Sequence, residues 1–327
     1  MRRPISMPSA TGDALAGWPP PVLDPAGPYA WSISVLSWVL FGIAVLVVLV
    51  VVAALYVALF GSERLRQRLG GRTTIWIGGI AFPVVVLTGL LIYGLTLTSN
   101  LTKPVSGDEM RVRVTGEMWW WRVTYLDQAG RPVMLDANEL HIPVGRPIIL
   151  ELESADVIHS FWVPRLSGKL DMIPGRTNIM RIQADRPGVF GGQCAEYCGG
   201  PHALMGFFVI AHPPQEFARL MASRRTATAP QGPVADLARG SALFSSAGCA
   251  ACHRIAGTEA VGLAGPDLTH VGSRRSLGAG ILPNNRGALM GWIGNSQAIK
   301  PGNRMPPYTV LGADDLRSLA VYLEAQK

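Results

Sequence analysis

The sequence is poor in charged residues and in cysteine. Charged side chains make up 16% of its 327 residues and hydrophobic side chains 49%, a balance that indicates a membrane component. Although the formal net charge is +7, no segment is basic enough to indicate nucleic-acid binding, and neither a helix-turn-helix nor a zinc-finger pattern is present. The four cysteines fall into two close pairs, Cys194 with Cys198 and Cys249 with Cys252, which excludes a disulfide-rich scaffold.

Charge is absent altogether from two long apolar runs, residues 30–60 and 73–97. About 20 such residues are enough for a helix to cross a bilayer, so each run predicts a membrane span, with a kink at Pro83 in the second. A buried core helix is the alternative for each run. Four arginines lie between the runs, in residues 61–72, and they place that loop on the cytoplasmic side and both termini on the outer side.

After residue 110 the pattern changes to short β-like runs separated by clusters of Gly, Pro and Asp. Residues 111–114 alternate polar and apolar side chains with a period of two, as a half-buried strand does. The further candidate strands are residues 121–126, 147–153, 157–163, 178–182 and 206–211. About seven strands within roughly 110 residues predict a Greek-key sandwich or barrel.

Two thiols, an imidazole and a thioether are concentrated in the twelve residues from Cys194 to Met205. Soft sulfur ligands together with imidazole suit copper, zinc or iron–sulfur centres. The intervening glycines and proline indicate a loop that folds back on itself. The Cys-x3-Cys spacing is wider than that of most zinc knuckles, and methionine is foreign to structural zinc sites, so copper is favoured. A disulfide between Cys194 and Cys198 beside a surface histidine is the alternative.

The run Cys-x-Glu-x-Cys-Gly-x-x-His-x-x-Met resembles the CuA loop of subunit II of cytochrome c oxidase. The resemblance implies an all-β cupredoxin-like domain, in which this loop joins the last two strands and holds a binuclear copper centre. Residues 156–164 fit the upstream segment of the family that supplies a second histidine. The implied copper ligands are His159, Cys194, the backbone carbonyl of Glu196, Cys198, His202 and Met205.

Cys249, Cys252 and His253 form a Cys-x-x-Cys-His motif, the attachment signature of c-type haem. The two thiols would form thioethers with the haem, and the histidine would supply the proximal iron ligand. Cys-x-x-Cys also occurs in redox and zinc proteins. The setting here is similar to that of class I cytochromes c, with Gly240 and Phe244 upstream and a Gly-Pro-Asp-Leu run downstream.

The sixth iron ligand is expected to be Met305, in an Asn-Arg-Met-Pro-Pro run that fits the distal loop of the same family. Ligation by His and Met raises the haem potential, as electron-transfer cytochromes require. Met290, in a predicted helix over residues 287–293, is expected to belong to the core. His270 is the rival ligand and is expected to be exposed. An amphipathic helix over residues 314–325 is expected to close an all-α domain.

Aromatic and acidic residues supply two further signals. Trp119 matches the electron-entry tryptophan of the oxidase family, whereas Trp120 and Trp121 are expected to pack as strand aromatics usually do. The Glu196 side chain and the region of Asp171 match a magnesium site at the contact with subunit I. A turn with a solvated aspartate is the alternative reading of that region.

Histidine is scarce, and none of the six lies between residues 30 and 97. An oxygen-reducing haem–copper centre needs several histidines within the membrane, so the chain is predicted not to reduce oxygen itself. His141 and His212 have no motif partner and are expected to be surface histidines.

The resemblance implies subunit II of a bacterial haem–copper oxidase of the caa type, in the inner membrane with its soluble domains on the periplasmic side. The predicted parts are an extended tail (1–29), a two-helix transmembrane hairpin (30–100), a CuA cupredoxin domain (101–213), a linker (214–234) and a cytochrome c domain (235–327).

The predicted function is electron entry. Electrons would pass from haem c to the copper centre and then to subunit I, with subunit III as a further partner. Either a soluble cytochrome c or a cytochrome bc complex would be the donor. The alternatives are a CuA-containing subunit of a related nitric oxide reductase and a non-redox copper-binding protein.

Overall fold

The computed structural model describes residues 20–101, 109–224 and 232–327. The chain forms two compact units, Trp31–Pro104 and a second unit made of Met1–Ala30 with Val105–Lys327. The second unit contains the β-domain, residues 109–224, and the C-terminal domain, residues 232–327. Most of the predicted tail and part of the predicted linker lie outside the described residues.

Residues 28–101 are mainly helical, and their two long helical segments are apolar. Its helices are α1 (Pro28–Phe60), α2 (Glu63–Leu69), α3 (Arg72–Trp76) and α4 (Phe82–Leu101), with a π-helical turn at Ile77–Ala81. Residues Pro28–Phe60 and Arg72–Ser99 are each long and apolar enough to cross a membrane. The π turn lies just before Pro83, whose ring removes an N–H donor from the helix.

Two five-stranded sheets build the β-domain, with strand orders β3-β2-β1-β5-β8 and β4-β10-β9-β6-β7. The strands are β1 (Met110–Glu117), β2 (Trp120–Leu126), β3 (Pro132–Ala137), β4 (Glu139–Pro143), β5 (Ile148–Ser154), β6 (His159–Trp162), β7 (Lys169–Met172), β8 (Asn178–Ile182), β9 (Gly188–Cys194) and β10 (Gly206–His212). Trp121 is fully buried in the core, 4.8 Å from the ring of Phe207 and 5.9 Å from that of Phe161.

The structure has more strands here than the pattern predicted. β9 shows why, because it contains three glycines, which weaken any strand signal. An added Cβ at Gly192 would lie 2.3 Å from the ring of Phe207, so a glycine is required for this strand to approach its neighbour. The sequence therefore hides the strand that leads into the predicted copper loop.

The C-terminal domain is mainly helical, with α6 (Val234–Ser246), α7 (Arg286–Ile299), α8 (Ala313–Glu324) and a short hairpin of β11 (Ser276–Leu277) and β12 (Leu282–Pro283). Helices α6 and α8 cross at Gly240, where a Cβ would lie 2.3 Å from the carbonyl oxygen of Ser318. Phe244 and Leu319 are buried beside this crossing.

The first ten residues of the predicted linker are helical. Residues 214–223 form helix α5 (Pro214–Ser223), because Phe217 and Met221 share one apolar face despite the polar composition. Met221 packs against the core of the β-domain. Arg224, the next residue, is buried and forms an ion pair with Asp136 on β3.

An interdomain charge cluster joins the two domains of the second unit. Asp136 is 1% exposed and pairs with Arg224 and with Arg274, whose Nε lies 3.0 Å from Asp136 Oδ1. Glu139 accepts a hydrogen bond of 2.6 Å from the backbone N–H of Arg275 in the C-terminal domain. We define the interdomain charge cluster as Asp136, Glu139, His141, Arg224 and Arg274.

The expectation that three histidines lie at the surface is wrong for His141 and His270, which are each 5% exposed. His141 Nδ1 lies 2.9 Å from Nε2 of His212, which is half-buried, and the two rings are stacked. His270 Nε2 lies 3.2 Å from the carbonyl oxygen of Arg224. All three are covered by contacts between segments distant in sequence, which no local pattern reports.

Burial and neighbouring charges shift the pKa values of three groups in the interdomain charge cluster. Burial would raise the pKa of Asp136, but the guanidinium groups of Arg224 and Arg274 outweigh it and hold that pKa well below its usual range. Burial, with the negative charge of Asp136, raises the pKa of Glu139 to about 7. Burial, with the charge of Arg224, lowers the pKa of His141 to about 3.

Glu139→Gln is expected to stabilise the chain at pH 8 and to leave its stability at pH 5 nearly unchanged. A carboxyl with a raised pKa stabilises the fold while it is protonated, and that contribution is lost as the pH rises from about 4.5 towards 7. The neutral amide removes this loss, a gain of up to about 3 kcal/mol at pH 8. Thermal unfolding of the two chains at both pH values measures it. Glu153→Gln, at a partly exposed glutamate, is the control, and an equal change at both pH values would contradict the prediction.

Candidate metal centre and haem cavity

The loop between β9 and β10 brings the predicted sulfur ligands together. The backbone N–H of Cys194 donates to the carbonyl of Met205 at 3.0 Å, which closes the mouth of the loop. The Sγ atoms of Cys194 and Cys198 lie 3.8 Å apart, and Cys198 Sγ lies 3.8 Å from Met205 Sδ and 3.4 Å from His202 Nδ1. The Cys194 thiol also reaches the carbonyl oxygen of Glu196 at 3.1 Å.

The sixth predicted ligand, His159, comes from the neighbouring strand β6. Its ring is fully buried, with Nδ1 3.8 Å from Cys194 Sγ and Nε2 2.9 Å from the Asp156 carboxylate. A carboxylate on the far nitrogen orients a histidine and raises its strength as a metal ligand. Asp156 is itself held by a 2.8 Å hydrogen bond from the backbone N–H of Met118.

The two loop thiols are free. A disulfide needs a sulfur–sulfur distance of about 2.05 Å, far below the separation found here. Contact with Cys198, and then with His159, lowers the pKa of Cys194, while contact with the Cys194 sulfur and burial raise the pKa of Cys198. Thiolate is the form that binds metals.

The donor set fits copper. In the described parts of the chain, His159, Cys194 and Cys198 are the one group of three His, Cys, Asp or Glu side chains with ligand atoms within 4.8 Å of one another. Two sulfurs flanked by two imidazoles and a thioether form a soft set that suits copper. The Glu196 side chain belongs to no such group and lies 3.9 Å from Lys169 Nζ.

A cavity of about 360 Å³ lies beside the Cys-x-x-Cys-His motif. It is lined by Cys249, Cys252, His253 and Met305, the four residues predicted to hold haem. His253 Nδ1 donates to the carbonyl of Pro266 at 2.7 Å, which leaves Nε2 as the nitrogen available for a metal. Burial lowers the pKa of His253 and so favours the neutral form that metal binding needs.

Backbone contacts hold Met305 in place. Its carbonyl accepts hydrogen bonds from Ser296 Oγ at 3.0 Å and from Gln297 Nε2 at 2.9 Å, and its N–H donates to Asn303 Oδ1 at 2.9 Å. Met290 packs against the core and does not line the cavity. A cavity with a neutral histidine, two thiols and a thioether fits a c-type haem.

Trp119 lies between the cavity and the metal loop. Its side chain lines the cavity, and its indole Nε1 donates to the carbonyl oxygen of Cys198 at 2.8 Å. Trp120 also lines the cavity, where Arg122 lies 4.8 Å from the centre of its ring, whereas Trp121 is a core residue.

Lys300 is a site residue that the sequence did not reveal. It is 2% exposed, and its Nζ donates to the carbonyls of Trp119, Leu204 and Gly278 at 2.7, 2.8 and 3.0 Å. Burial lowers its pKa to about 7, against the opposing charge of Cys198. A lone lysine before Pro-Gly carries no motif, so only the fold identifies it.

A cupredoxin-like β-domain with a thiol, imidazole and thioether centre, joined to a domain with a c-type haem site, defines a copper and haem electron-transfer protein. Two family models match the chain: cytochrome c oxidase subunit II, periplasmic domain, over residues 124–212, and cytochrome c over residues 237–327. The chain belongs to the cytochrome c oxidase subunit II family. The predicted fold class is confirmed.

Individual proteins similar to this chain carry the name of the same family. Cytochrome c oxidase subunit 2 of Alkalihalophilus pseudofirmus is 35% identical over 317 residues, 93% of this chain and 90% of the relative. The Bacillus subtilis protein of the same name is 28% identical over 288 residues, 82% and 78% of the two chains. Among solved structures, the periplasmic domain of subunit II of cytochrome oxidase of Bradyrhizobium japonicum is 32% identical, with a TM-score of 0.32, covering 37% of this chain and 96% of that one.

Family membership fixes the coarse role. The chain is a subunit of an oxidoreductase complex, anchored to a membrane with a soluble domain outside it. The copper-domain and cytochrome c models imply copper and haem c as its cofactors.

Gly116→Ala is expected to lower the affinity for copper by about tenfold or more, because it displaces the predicted ligand His159. A Cβ at this position would lie 2.7 Å from Cδ2 of the His159 ring. Gly200→Ala is the matched control within the loop itself, since no atom lies within 4 Å of its added Cβ. Copper titration against a competing chelator compares the three chains, and equal affinities would show that His159 is not a ligand.

Gly265→Ala is expected to disturb haem binding, since its Cβ would lie 2.6 Å from Cε1 of His253. The absorption spectrum should change from a low-spin haem to one without histidine ligation, and haem content should fall. Gly291→Ala in α7 has open space around its Cβ and should bind haem normally. An unchanged spectrum in Gly265→Ala would argue against His253 as the proximal ligand.

Proposed function

We propose that the chain is the electron-entry subunit of a respiratory terminal oxidase. It passes electrons from its c-type haem to a binuclear copper centre and on to the haem–copper subunit I, which reduces oxygen to water. The observation that carries the proposal is the position of Trp119, whose side chain lines the haem cavity and is hydrogen-bonded to the metal loop.

Bound haem and bound copper each supply a centre that gains and loses one electron, and the residues of the chain hold and space these centres. We assign His159, Cys194, the Glu196 carbonyl, Cys198, His202 and Met205 to copper. We assign Cys249, Cys252, His253 and Met305 to haem. The distances within the loop and the lining of the cavity support both sets.

Trp119 is assigned as the electron-transfer residue between the two sites. Its indole N–H bonds directly to the carbonyl of Cys198, so a single hydrogen bond joins the aromatic ring to the metal loop. The ring is part of the cavity wall, so it is also adjacent to the haem position.

The proposed partners follow from the family. Subunit I accepts the electrons, subunit III completes the complex, and a soluble cytochrome c or a cytochrome bc complex reduces the haem. The arginine-rich segment between the spans supports the proposal that both termini lie on the outer side of a bacterial inner membrane. A magnesium ion near Glu196 and Asp171, at the contact with subunit I, stays a prediction.

The direct test combines metal analysis with optical spectra of the purified chain, oxidised and reduced. Two copper ions and one iron per chain, a c-type haem band and near-infrared copper absorption are expected. Haem without that copper absorption would leave a membrane cytochrome c on a cupredoxin-like scaffold. A single labile copper ion would instead support a copper-binding protein without redox flux.

Trp119→Phe is expected to slow electron transfer from haem to copper within the chain. Phenylalanine keeps an aromatic ring but loses the N–H that bonds to Cys198, so the metal loop is no longer joined to the ring. Flash-induced reduction of the haem, followed at the copper absorption, measures the rate. Trp162→Phe on β6, which lies outside the cavity lining, is the control. Equal rates in Trp119→Phe and the parent chain would exclude this route.

A further inference from the structure

Lys300 places a charged group where the two domains of the second unit meet. The residue follows α7 in the C-terminal domain and is almost completely buried. A buried ammonium group is costly unless its donors are satisfied. Lys300 has three N–H donors and finds three carbonyl acceptors.

The three carbonyl acceptors of Lys300 come from both domains. Gly278 belongs to the C-terminal domain, but Trp119 and Leu204 belong to the β-domain. The indole N–H of Trp119 donates a hydrogen bond to the metal loop, and Leu204 immediately precedes the proposed copper ligand Met205. One side chain therefore fastens the C-terminal domain to both segments that lead to copper.

The same lysine is close to the haem site. It lines the cavity and lies five residues before Met305 in the sequence. Beside it, the Gly206 N–H donates to the carbonyl of Ala279 at 3.0 Å, a second backbone contact across the interface. The loop that presents Met305 and the loop that presents Met205 are thus held together through Lys300 and its neighbours.

We propose that Lys300 is the positioning residue that holds the haem cavity against Trp119 and the metal loop. The proposal rests on the proposed function for the electron path, but the domain contact itself does not depend on it. Arg304 pairs with Asp156 across the same interface at 3.3 Å, but its side chain is 60% exposed. Exposed pairs contribute little. Two buried polar contacts therefore hold the domains together beside the cavity, that of Lys300 and that of Arg274 with Asp136.

The experiment uses the full chain in the purified oxidase, loaded with haem and copper. In Lys300→Met, three buried carbonyls lose their donor, and the equilibrium for opening the interface should rise by about tenfold or more. Hydrogen exchange of the Gly206 amide reports that opening, because its acceptor lies in the other domain. Its exchange rate should rise by the same factor, while the amide of Val209, within the β9–β10 pairing, should not change.

Electron transfer is measured on the same samples. The fast transfer from haem to copper should be lost from part of the molecules in Lys300→Met. Direct reduction of copper by a small diffusible reductant should be unchanged, which a general loss of structure would not allow. Arg317→Met is the matched control, since it also removes one positive charge from the C-terminal domain, at a side chain that is 58% exposed. Lys300→Gln, with two donors, should give an intermediate result if Lys300→Met does not fold.

The possible outcomes distinguish the positioning role of Lys300 from the electron-transfer route through Trp119. Unchanged exchange of Gly206 in Lys300→Met would overturn the positioning role. Increased exchange across the whole β9–β10 pairing would also overturn it, since the lysine would then stabilise the β-domain and not the interface. Faster exchange of Gly206 with unchanged haem-to-copper transfer would support the positioning role and count against the route through Trp119.

Discussion

Buried charge must be paired, and this constraint determines how the two domains of the second unit fit together. Asp136 is buried between Arg224 and Arg274, which come from the end of α5 and from the C-terminal domain. Lys300 is buried among carbonyls from both domains. Separating the domains would break the pair of Asp136 with Arg274 and two of the three hydrogen bonds of Lys300, which is more costly than breaking exposed ion pairs. The domain arrangement in which all of these charged groups keep their partners is therefore strongly stabilised.

The metal loop depends on a second constraint, which is close packing around its histidine. Gly116 lies against the His159 ring, and Gly192 lets β9 pack against Phe207. Asp156 fixes the far nitrogen of His159, so the ring cannot turn away from Cys194. The ligand atoms come from a loop and a separate strand, and one sheet carries both, since β6 is paired with β9. A site assembled before metal binding loses less entropy when the metal binds.

Local sequence patterns predict two candidate sites, but they do not predict contacts between residues that are distant in sequence. The loop from Cys194 to Met205 and the motif from Cys249 to His253 keep most of their predicted ligands close in sequence, so spacing indicates two sites, whereas His159 and Met305 are implied by the resemblance to known families. The burial of His141 and His270 depends on segments brought together only by the fold. The polar composition of α5 masks its one apolar face, so the sequence pattern there indicates a linker. Lys300 escaped because its acceptors are up to 181 residues away.

The haem cavity has walls from both domains, since Met118, Trp119 and Trp120 line it beside residues of the C-terminal domain. A fragment consisting of the C-terminal domain alone would replace that wall with water. Haem potentials depend on burial and on solvent access. In such a fragment the haem would be more exposed to solvent than in the intact subunit, so its midpoint potential would differ. The intact chain is therefore the proper sample for redox titration.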